Sequence, residues 1–152
     1  MLLLCFLIGV IAGLRAMTAP AMVSWAARWG WLHLDNTWLS FLGAPATPYI
    51  FSVLALGELI NDKLPKTPSR KAPPSFAFRI LSGAFSGGAI GASSGSFAIG
   101  ACAGAVGAIV GTLGGYEVRS RLAKAVAKDL PVALLEDVIA VAGAFMIVGQ
   151  TK

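Results

Sequence analysis

Five stretches of the chain, residues 2–23, 48–64, 76–94, 97–116 and 130–148, are predominantly apolar. Each approaches the roughly 20 residues that an α-helix needs to cross bilayer hydrocarbon. Five such runs in a chain of 152 residues leave little polar side chain to clothe a water-soluble core: 12% of residues are charged and 57% are apolar. Soluble domains carry about 25% charged residues. Lipid removes the need for a polar exterior, provided that every backbone group is satisfied within the protein. The expected fold is an all-α integral membrane protein, one polytopic domain over residues 1–152 with about five transmembrane helices. The N-terminal run resembles a signal peptide but lacks a basic start and continues past Arg15, so it is expected to be retained. Cys5 lies too near Met1 for a lipoprotein signal.

The cations fall unevenly around these runs. Lys63, Lys66, Arg70, Lys71 and Arg79 follow the second run, and Arg119, Arg121, Lys124 and Lys128 follow the fourth. With five crossings these nine share one side, against Arg28 and Lys152 on the other. Cytoplasmic loops are the basic ones, so residues 65–79 and 117–129 are expected inside, with the N-terminus cytoplasmic and the C-terminus outside. All four tryptophans, Trp25, Trp29, Trp31 and Trp38, lie in the first outer loop. Indole favours the headgroup region, which suits a segment lying along the outer interface. The net charge of +5 comes from membrane loops in this reading, and nucleic acid is not an expected partner.

Glycine sets the packing. Gly83, Gly87, Gly91 and Gly95 recur every four residues in the third run; Gly100 and Gly104 continue the spacing in the fourth, and Gly107, Gly111 and Gly115 repeat it on another face. This glycine-zipper spacing aligns missing side chains on one helix stripe, where a second backbone can come close. Two stripes on the fourth helix predict one contact within the subunit and one with a second copy, a homodimer.

The remaining charges sit where hydrocarbon should be. Arg15 interrupts the first run, with Thr18 just beyond it. An arginine at mid-membrane costs about 2.5–3.5 kcal/mol to insert and needs a partner or water. The candidate partners are Glu58, and Glu136 with Asp137; Asp62 lies one turn from Glu58 on the same helix face, with Lys63 beside it. These seven residues form the candidate solute or ion site. One alternative is a structural ion pair that locks three helices. No cofactor or metal is expected: His33 is the only histidine, the two cysteines lie in separate apolar runs, and no nucleophile–base pair is visible, so an enzyme is not expected.

A weak internal echo bears on transport. Gly9-x-Ile11-x-Gly13 resembles Gly107-x-Ile109-x-Gly111, and Ala55-Leu56-Gly57-Glu58 resembles Ala133-Leu134-Leu135-Glu136. Helices 1–2 and 4–5 would then form an inverted repeat, a common transporter plan with broken helices at the repeat interface. Pro20 and the stretch ending at Arg15 would supply such a break.

Three motifs, GLRAMTAPA, GELINDKLPKTPSR and DLPVALLEDVIA, resemble a bacterial membrane family, domain of unknown function 4126, over essentially the whole chain. The resemblance implies a small inner-membrane protein without an established activity. Its motif positions match here at Arg15, Glu58, Asp62, Lys63, Pro65 and Glu136. Where members often carry a GNP-like stretch before the last span, this chain reads KDLP. The expected function is a small transporter or channel for a polar or ionic solute. The alternative is a non-transporting scaffold or assembly factor.

Overall fold

The computed structural model describes residues 1–65 and 69–152. Lys66, counted above among the loop cations, and Thr67 and Pro68 of the TPSR motif lie outside the described residues. Among these residues the fold is all helix: α1 Leu2–Leu14, α2 Thr18–Arg28, α3 Thr47–Asn61, α4 Pro73–Ala92, α5 Phe97–Val126 and α6 Asp129–Gly149. Pro48 and Pro73 stand at the starts of α3 and α4, where a missing N–H costs no helical bond. Two helices, α5 and α6, are long and apolar enough to cross a membrane.

The first apolar run is broken in two. Arg15 adopts extended backbone angles between α1 and α2. Pro20 explains why: in a continuous helix its ring would clash with the carbonyl of Ala16, and it has no N–H to donate there. The two pieces then double back. α1 packs alongside α5 in the same direction, with Gly9 against Gly104 and Gly13 against Ala108. α2 returns antiparallel to α3, so that Glu58 meets the start of α2 while Ser52 accepts a hydrogen bond from the Trp25 indole near its end. Met1 shares a groove with Ser94 and Ser96 in the α4–α5 turn. The tryptophan-rich segment reaches the same end of the bundle, with Trp38 against Phe97 and Lys152 over the Trp31 ring.

This corrects three expectations. The first run is a hairpin of two short helices and does not make one crossing. Both chain termini therefore lie at one end of the bundle, not at opposite ends. The inverted repeat also fails, because inversion would require α1 and α5 to run in opposite directions.

Glycine contacts organise the centre. A methyl group on Gly87 would lie 2.5 Å from the Gly100 carbonyl oxygen and 3.1 Å from that of Cys5, and one on Gly83 would lie 2.7 Å from that of Gly104. On its other face α5 presents Gly107 to Phe6 and Gly111 to Val10 of α1. Both stripes are thus occupied inside the subunit, which removes the reason for reserving one for a second copy. Gly95 is no packing residue: it takes φ +76° in the α4–α5 turn, where the Ser96 N–H bonds the Gly91 carbonyl at 2.9 Å. Gly115 meets the Leu14 side chain instead of a backbone. The segment 117–126, expected as loop, continues α5.

Candidate functional site

A break inside a packed bundle exposes backbone groups that need partners. Here each end of the break is met by a side chain from another helix. The Ala16 and Met17 N–H groups donate to the two carboxylate oxygens of Glu58 at 2.8 and 2.7 Å. The Gly13 and Leu14 carbonyls each accept from Arg79 at 2.8 Å. Thr112 donates to the Gly13 carbonyl at 3.2 Å, and Ser82 donates to that of Ala16. An acid thus caps the positive end of α2 and an arginine the negative end of α1, the pairing that the helix dipole favours.

Arg15 points away from these caps into an ion network. Its side chain is 0% exposed. One terminal nitrogen lies 2.7 Å from Asp62, and the other lies 2.5 Å from Asp137 and 3.8 Å from Glu136. At these distances Asp62 and Asp137 are its close ionic partners. The same Asp62 oxygen is 2.8 Å from Arg119 and 3.5 Å from Arg70. Arg70 forks onto both oxygens of Glu136, Arg119 onto both oxygens of Asp129, and Lys63 lies 2.6 Å from Asp137. With Arg79 facing Glu58 at 3.7 Å, the described cluster holds Arg15, Lys63, Arg70, Arg79 and Arg119 against Glu58, Asp62, Asp129, Glu136 and Asp137. It is electrically neutral, so the chain's excess positive charge lies elsewhere.

A mostly apolar cleft of about 360 Å³ touches the cluster at Arg119 and Glu136, and two others reach it. One, of about 650 Å³, opens between α3 and α4; its wall runs from Val53, Leu54 and Phe78 to Glu58, Arg70 and Arg79. The other, of about 300 Å³, is lined by Asp62, Ser69, Arg70, Arg119 and Ser120. Arg15 lines neither.

The expected residues are therefore divided between two groups. Arg15, Asp62, Lys63, Glu136 and Asp137 meet in the network, with Asp62 and Asp137 as the close partners of Arg15. Glu58 does not pair with Arg15; it closes the helix break. Thr18 is buried in the first turn of α2, its hydroxyl without a hydrogen-bond partner, and takes no part in the ion pairs. Sequence reasoning missed Asp129, and also Arg70, Arg79 and Arg119, which had been counted as loop cations. Arg79 had a readable signal, since it is a lone charge in the apolar stretch PSFAFRILSG. Arg70 ends the most distinctive motif. Arg119 gave none, because its role depends on α5 continuing past the apolar run.

The family described as Domain of unknown function (DUF4126) matches residues 2–149, and the chain belongs to it. No curated protein and no solved structure matches it.

Proposed function

We propose that this member of the family is a small multi-pass membrane transporter or channel for a polar or ionic solute, entered through the cleft that ends on Glu58 and Arg79. The observation that carries this reading is the position of that cleft, at a helix break whose backbone groups are held by charged side chains. Broken helices at a polar site inside a bundle are a recurrent transporter device. The sequence pointed to Arg15 together with the acids, Glu58 among them; in this reading Glu58 and Arg79 meet the solute and Arg15, which lines neither cleft, does not. The test is flux. Liposomes containing the purified chain should take up some member of a panel of small anions, cations and zwitterions faster than empty liposomes. Plugging the cleft with Leu54→Trp should reduce that flux at least tenfold. Uptake untouched by the plug would place the path elsewhere.

A second reading has its own observation. Arg15 is sealed and paired with two carboxylates, as expected of a lock in a scaffold or assembly factor. In that case the reconstituted chain would pass nothing on the panel.

In the membrane we place the basic end of the bundle, which carries Ser69 and Ser120, in the cytoplasm, following the cation asymmetry. The hairpin of α1 and α2 then puts Met1 and Lys152 together on the opposite side. Ser69→Cys and Ser120→Cys, in chains with Cys5 and Cys102 replaced, should both resist an impermeant thiol reagent added outside. A cysteine added after Lys152 should react. Reaction of Ser69→Cys and Ser120→Cys from outside would reverse the orientation.

A further inference from the structure

We propose that the cleft at the helix break takes a small carboxylate with an apolar body, and that this guest occupies the place filled by the Glu58 carboxylate. The inference rests on the transporter reading and narrows it to a solute class and a coupling.

Glu58 already shows how a carboxylate is held there. Its two oxygens accept from the Ala16 and Met17 N–H groups at the start of α2, where helix dipoles favour an anion. A second feature, on a different helix, points to a further acceptor. Arg79 lines the cleft and is 5% exposed, and its Nε is buried without a hydrogen-bond partner. Glu58 faces a terminal nitrogen of Arg79 instead, and only at 3.7 Å, against 2.5–2.8 Å for the close pairs of Arg15, Lys63 and Arg119. The rest of the wall suits an apolar body, with Val53, Leu54 and Phe78 leading away from the charges. A volume of about 650 Å³ falls in the range of roughly 300–1,000 Å³ typical of small-molecule sites.

Charge balance supplies the coupling. The cluster is neutral, and an unpaired charge added to a buried site is costly. The charged groups near Glu58 are Arg79 on α4, Arg70 before α4, Arg15 in the break and Asp62 one turn along α3. An anion entering there keeps the balance if Glu58 takes up one proton from water, releases both N–H groups and swings aside. The guest carboxylate then accepts from Ala16, Met17 and Arg79. One anion and one proton enter together.

The probe is benzoate, with benzamide as its uncharged counterpart, added to the purified full chain in detergent. Benzoate should bind with uptake of one proton. Its affinity should fall about tenfold per unit rise in pH, the slope of one linked proton. Benzamide should not compete. Leu54→Trp, at a half-exposed position that leaves the fold intact, should weaken benzoate at least tenfold. Glu58→Gln should bind benzoate without proton uptake and with a flat pH profile. A pH slope retained in Glu58→Gln would mean that benzoic acid itself enters, and would overturn the proposal. So would equal binding of benzamide, or indifference to Leu54→Trp. Flux of another solute without benzoate binding would remove this inference and leave the transporter reading. Benzoate binding with its proton, but no flux, would do the reverse.

Discussion

Replacing Arg15 with methionine is expected to destabilise the fold by about 3–5 kcal/mol, the scale for removing one partner of a buried ion pair. The loss leaves four cations among five carboxylates and removes the sealed partner of Asp62 and Asp137. Asp62 keeps Arg119, and Asp137 keeps Lys63, so the fold should weaken without collapsing. Adding Asp137→Asn should recover much of the loss, since Lys63 is 27% exposed and can turn to water. A double-mutant cycle should give about 2–3 kcal/mol of coupling for Arg15 with Asp137, and similarly with Asp62. The cycle with Glu58 should give less than about 0.5 kcal/mol, the level of independent sites. Denaturation in detergent, followed by helix signal, measures all three. Strong coupling to Glu58 would mean that the break and the network are one unit, and the division of roles drawn here would fall.

The second large effect belongs to the glycines. Gly87→Leu is expected to cost about 3 kcal/mol or more, the upper range for overpacking a filled core. Its new side chain meets main chain of α5 and of α1, and main chain cannot rotate aside. Gly104→Leu should be at least as severe, since its new side chain would run directly into the main chain of α4 at Gly83 and Gly87. Gly57→Leu and Gly114→Leu are the controls, because nothing lies within 4 Å of a methyl group at either position. Thermal unfolding in detergent separates the two pairs. If all four variants melt alike, the close approach of α1, α4 and α5 is not what holds the bundle.

These contacts show what a sequence of this kind encodes. Glycine spacing is local, so the stripes on α4 and α5 were readable, and so were the apolar runs that became α3 to α6. Direction was not readable. An apolar run reports the cost of leaving water, which is the same whether a chain crosses a bundle or turns back at Arg15. Pro20 marked the break but could not say that α2 would run antiparallel to α1. The same limit applied to the charges. Arg15, Asp62 and Asp137 stood out as ions in apolar surroundings, whereas Arg70 and Arg119 looked like ordinary flanking cations. Their partners come from distant parts of the chain, and pairing over such separations leaves no periodic trace.

The caps of the helix break also fix an order of events during synthesis. The open N–H groups of Ala16 and Met17 wait for a residue 41–42 positions later, the Gly13 carbonyl for one 66 positions later, and the Thr112 hydroxyl comes after 99. At about 5–20 residues per second, a ribosome takes roughly 5–20 s to cover the longest of these gaps. The first helical hairpin to emerge is therefore completed only once Thr112 of α5 has been made. Glu58 arrives first and closes the N–H pole of the turn, so a nascent chain halted before α4 carries it with the Gly13 and Leu14 carbonyls still without Arg79 and Thr112.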